Sequence, residues 1–216
     1  MGCIARLGCL VMIVLLGFAA WITRDRWTGY FRAGPPAAAT ASVHWEPLTP
    51  AGAQRAQAAL DSLRTLQGPV FQNVRPGDAS AYVVQALFGR LPEAADSAEA
   101  AVVGDEFWVR ARVRARDLGG SDVLGSIAAA LADRERLMLG GTFHVVRPGL
   151  TEFRVTQIAI GKIRVPGPAI PRLLARLAHG APLDSARGDA LAIPTPKYLV
   201  DIRVGDGRLT LYKGTP

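Results

Sequence analysis

The sequence predicts an α+β domain in which a long, curved and mainly antiparallel sheet packs against about four helices, carried behind one N-terminal transmembrane helix. Three observations lead there. Residues 7–23 read LGCLVMIVLLGFAAWIT without a charge, and residues 107–116 alternate apolar and basic side chains with a period of two. Several other stretches set alanine and leucine at helical spacing between Thr or Asp starts and Gly or Pro stops.

The uncharged run comes first. At 1.5 Å per residue it spans roughly 25 Å, a little short of a hydrocarbon core of about 30 Å. Trp21, Trp27, Tyr30 and Phe31 extend it as an interfacial aromatic belt. A cleaved signal peptide is the competing reading, but the Ala19-Ala20 pair is followed by Trp21, a poor neighbour for cleavage. The flanking arginines count slightly toward a cytoplasmic C-terminus, whereas a very short tail, an apolar stretch and a large following domain make a signal-anchor layout. That layout places the domain outside the cytoplasm. Lipidation does not fit: Arg6 stands where myristoylation of Gly2 wants Ser or Thr, and the hydrophobic region follows Cys9 when a lipoprotein signal would precede it. The chain then divides into an anchor with its flanks (1–32), a Pro/Ala-rich spacer (33–49) and one extracytoplasmic α+β domain (50–216).

Within the domain, Thr49 caps a helix with Pro50 at its first position, and Ala53, Ala56, Leu60, Leu63 and Leu66 or Gln67 form one face until Gly68-Pro69 ends it. A short strand at 70–74 follows. Asp78 is expected to cap a second helix to residue 91, with Tyr82, Ala86 and Leu87 among its apolar positions. Residues 98–103 pair with the alternating strand through a Gly104-Asp105 turn. After Gly119-Gly120 a helix is expected to residue 133, then long strands at 135–147 and 150–165 joined by Pro148-Gly149. A helix at 167–179, a loop holding Pro182, Pro194 and Pro196, and a hairpin at 198–212 complete the chain.

Chemistry is mostly excluded. Cys3 and Cys9 are the only cysteines, so residues 50–216 hold neither an internal disulfide nor a thiol nucleophile. His44, His144 and His179 are far apart in the chain and none lies near a cysteine, which argues against a metal site. No G-x-S-x-G, G-x-G-x-x-G or Walker loop occurs, and the carboxylate pairs Asp105-Glu106 and Asp184 with Asp189 sit in turns and loops. The expectation is a non-catalytic protein with no cofactor and no metal.

Two features point to a surface and a groove. The net charge is +7 and nearly all the basic charge is arginine, and Arg110, Arg112, Arg114 and Arg116 project from one face of one strand about 7 Å apart. Such a ribbon is read either as a solvated face paired with neighbouring acids or as a contact for anionic headgroups; nucleic acid is disfavoured because no aromatic stacking motif accompanies it. On the other face, Val109, Val113, Phe143, Val145, Phe153, Val155 and Ile163 hold more large apolar surface than short, alanine-rich helices obviously cover. The run 150–165 also switches face midway, which implies a bulge near Gly161 or a sheet covered on both sides at its centre.

The run GTFHVVRPGLTEFRVTQIAIGKIRVP at 141–166, the helix after it and the closing hairpin resemble small bacterial single-pass envelope proteins. They are also similar to bacterial members of the tubular lipid-binding (TULIP) superfamily, in which a long curved sheet wraps a helix around an apolar groove. The resemblance implies binding of a lipid or another amphiphile at the cell envelope and transfers no individual residue. The alternative is a structural or assembly module that binds other envelope proteins.

Overall fold

A computed structural model of the chain describes residues 43–88, 97–114, 133–177 and 188–214. The expected transmembrane helix, the helix expected before residue 133, Arg116 and His179 lie outside the described residues. No helix among the described residues is long and apolar enough to cross a membrane.

The chain enters through a two-residue strand, β1 (Glu46–Pro47), and turns into helix α1 (Pro50–Arg64). Thr49 Oγ1 accepts a hydrogen bond from Gly52 N at 3.0 Å, and Pro50 supplies a preset first turn. Ala53, Ala56, Leu60 and Leu63 face inward as expected, but the helix stops at Arg64 and leaves Leu66 88% exposed. After β2 (Phe71–Val74), helix α2 (Pro76–Phe88) begins two residues before Asp78. Asp78 is therefore not its N-cap. The Asp78 carboxylate instead accepts from Arg55 Nε at 2.9 Å and lies 3.5 Å from Arg75 Nε, tying α2 to α1, while Glu46 accepts from Gly77 N at the helix start.

Strands β3 (Glu99–Val103) and β4 (Glu106–Arg114) form the expected hairpin, with Gly104 at φ +64° in its turn. Strand β5 (Arg134–Arg147) pairs with β4 on one side and with β6 (Leu150–Ile160) on the other. The expected strand at 150–165 is broken: Gly161 at φ +60° turns the chain into β7 (Ile163–Arg164), so Ile163 sits opposite Ile160. The change of face has its own cause. Gly140 opposes Gln157 while Gly141 opposes Val155, so the pairing slips by one residue at Thr156. This bulge lies several residues before Gly161 and brings Phe153, Val155, Ile158 and Ile160 to one side, all of them buried.

Helix α3 (Ile170–Leu177) follows a 3-10 turn at Gly167–Ala169, and the region read as a loop contains strand β8 (Ala190–Pro194), paired with the outer half of β6. The closing hairpin, β9 (Leu199–Gly205) and β10 (Arg208–Lys213), opposes Val204 to Leu209 and Ile202 to Leu211. It does not join the large sheet. Strand β10 also pairs with β2, giving a three-stranded sheet in the order β2-β10-β9 beside a seven-stranded one in the order β1-β3-β4-β5-β6-β7, with β8 on β6. Every described pairing is antiparallel, and the described residues hold three α-helices.

The main core joins the inner face of the large sheet (Phe107, Leu137, Phe153, Ile158, Ile160) to Leu173 and Leu174 of α3 and Leu209 of β10. A second cluster packs Ala56, Leu60 and Leu63 of α1 on Val74, Leu199 and Leu211 of the small sheet.

Candidate functional site: an apolar cavity between the sheets

The inner face of the large sheet does not close completely on the elements above it. A cavity of about 390 Å³ lies there. Its floor is Phe107, Val109, Leu139, Phe143 and Phe153; its roof is Ala79, Tyr82, Val83, Val84 and Ala86 of α2; and Leu199, Ile202, Leu209 and Leu211 of the small sheet form one wall. Leu191, Ile193 and the turn through Pro194, Thr195 and Pro196 close another side. Phe143 holds the floor together, with its ring centroid 5.1 Å from Phe107 and 5.0 Å from Phe153.

Few polar atoms reach the cavity. Thr151, fully buried, and Thr195 satisfy one another across 3.0 Å. Ser80 Oγ is buried and has no hydrogen-bond partner among the described residues. The Tyr82 phenol is pushed above its ordinary value, first by burial and then by the nearby Asp61 charge. Tyr198, behind the wall, is raised by the same two causes in the same order and donates to Leu60 O at 2.9 Å. A space lined this way can take up hydrocarbon and offers almost nothing to a polar substrate.

Of the apolar residues singled out in the sequence, Val109, Phe143 and Phe153 line this cavity. Val113, Val145, Val155 and Ile163 share the face but stand outside the cavity wall: Val155 is buried in the core, and the other three are half-buried along the strands. The roof and side walls were not singled out. The β2-β10 pairing joins distant parts of the chain, and the prolines around β8 mask its strand character.

The opposite face of β4 carries the arginines. Arg110 is engaged: its Nε donates to Glu99 on β3 at 2.6 Å, and its guanidinium lies 4.0 Å from the Trp45 ring centre. Arg112 and Arg114 are exposed and stand opposite Arg136 and Arg134 of β5. Among the described residues, no group of three His, Cys, Asp or Glu side chains is placed to hold a metal ion. Comparison of the chain with protein-family models, with curated proteins and with solved structures finds no match.

Proposed function

We propose that the domain binds a lipid or another long-chain amphiphile, without catalysis, at the membrane to which residues 7–23 would tether it. The observation that carries this reading is the cavity: about 390 Å³, walled almost wholly by aliphatic and aromatic side chains. That volume falls within the several hundred Å³ of ordinary small-molecule sites, and apolar surface left wet costs roughly 25 cal/mol per Å², which favours a hydrocarbon occupant. A single hydrocarbon chain is the simplest filling.

Native mass spectrometry of the full chain, purified under mild conditions and freed of detergent, tests the reading. A bound mass in the range of a single-chain or two-chain lipid, with saturable uptake of a fluorescent fatty acid, is expected. Protein at the mass of the bare chain that takes up no fatty acid would reject it. The assembly-module reading would then gain weight, since Leu66, Val70 and Phe71 are exposed beside the open edge of β2, at 88%, 58% and 51%.

A further inference from the structure

Four arginines form a cluster on the outer face of β4 and β5, away from the cavity. Arg112 faces Arg136 and Arg114 faces Arg134 in register. Directly opposed residues on antiparallel strands stand about 5 Å apart and successive same-face residues about 7 Å apart, so four guanidinium groups crowd onto a small patch. Like charges directly opposite one another destabilise a sheet unless something neutralises them. All four are exposed, and no carboxylate among the described residues lies within ion-pair distance of any of them. Glu99 is taken by Arg110, and Glu135 lines the same depression as Arg112, Arg134 and Arg136, its carboxylate beside Gly161. Lys162 adds a further cation to the same depression as Arg112, Arg134 and Arg136.

The entry of the chain into the fold lies beside this patch. Pro47 of β1 shares a surface depression with Arg112 and Arg136, and Trp45, two residues earlier, stacks on Arg110, the next residue along the arginine row. The first described residues of the chain thus lie beside the arginine patch.

We propose that Arg112, Arg114, Arg134 and Arg136 form a docking surface for the phosphate headgroups of an anionic bilayer, which sets the orientation of the tethered domain. The inference rests on the sequence reading of residues 7–23 as a membrane span and is independent of the cavity. Guanidinium forks match phosphate oxygens in pairs, and a sheet face presents them in one plane, as a bilayer presents its phosphates. The tether makes the contact intramolecular, so four individually weak contacts suffice.

The test uses the full chain in vesicles of phosphatidylcholine alone or mixed with phosphatidylglycerol. Arginines are modified with phenylglyoxal and located by mass spectrometry, with Arg208 on the three-stranded sheet as the internal reference. In anionic vesicles the four arginines should react on the order of ten-fold more slowly than in neutral ones, and high salt should remove the difference. Equal reactivity in the two vesicle types overturns the proposal. Protection by soluble inorganic polyphosphate that anionic vesicles do not reproduce also overturns it, in favour of a free phosphate ligand. Protection in neutral vesicles as strong as in anionic ones overturns it too, because protein and not lipid would then cover the patch. A variant with all four changed to Gln should lose the anionic dependence of Trp45 quenching by brominated lipids. Should it fail to fold, the labelling of the unaltered chain decides alone. Lipid mass in the cavity reads separately from both.

Discussion

Strands β4 and β5 have two faces with opposite unmet needs. On the inner face, Phe107, Val109, Leu139 and Phe143 border an apolar cavity; on the outer face, Arg112, Arg114, Arg134 and Arg136 crowd one another with no counter-ion among the described residues. Between them the strands are ordinary antiparallel ladder. The contrast teaches that a period-two pattern supplies two surfaces at once, and that each can be left incomplete in its own chemical terms. The inner face needs volume filled. The outer face needs charge balanced.

Energies should separate the two faces sharply. Ile158, fully buried on the inner side of β6, is the strongest probe: Ile158→Ala should cost about 2–5 kcal/mol in denaturant unfolding, and a smaller loss would mean the inner face is loosely packed throughout. The buried Trp108, on the same side of β4 as the arginines, comes next. A Cβ on Gly140 would meet the Trp108 indole at 2.6 Å, so Gly140→Ala should cost about 1–3 kcal/mol by overpacking.

Filling the cavity should act differently from emptying the core. Val109→Phe places bulk where the floor has room, and fatty-acid uptake should fall about ten-fold, equivalent to about 1.4 kcal/mol, with an unchanged or higher Tm. A fall in Tm with uptake intact would show that this part of the floor is already full. Alkaline titration probes the roof. Because burial raises the Tyr82 phenol, both folded and unfolded states keep its proton below about pH 10, and above that the unfolded state releases it first. Stability contributed by Tyr82 is thus present below the unfolded value and lost as pH rises through the folded one. Tyr82→Phe should flatten that part of the pH profile, whereas Tyr198→Phe also removes the bond to Leu60 O and is the less clean probe. The smallest effect belongs to the outer face: Arg112→Gln should change stability by no more than about 0.5 kcal/mol, with relief of the Arg136 repulsion favouring a slight gain.

The parts legible in the sequence are those with local causes. Thr49 and Pro50 start α1, Gly104-Asp105 turns β3 into β4, and the alternation in β4 places Phe107 and Val109 inside and the arginines outside. Residues that answer to distant partners read less well. Leu66 continues the helical spacing yet lies beyond the helix end, and Asp78 sits at a cap-like position yet binds Arg55, 23 residues back. Strand β8 shows only five residues ending in proline, and nothing in β2 announces a partner near the C-terminus. The floor of the cavity was accordingly readable in Val109, Phe143 and Phe153, and its roof and walls were not. Arg134 and Arg136 share a strand with Glu135, and only the register with β4 brings them against Arg112 and Arg114.

Strand β1 carries a mechanical consequence. A pull on the chain from its N-terminal side reaches the domain through two residue pairs, Glu46 with Ala100 and Pro47 with Glu99, and through the Trp45 ring on Arg110. Behind them the bond from Leu48 N to Ala98 O and the buried Leu48 side chain take up the load. So short a strand holds by few bonds and opens at a small fraction of the domain's global stability. Tension would peel β1 away while the core stayed intact, freeing the edge of β3 and releasing Glu46 from the start of α2.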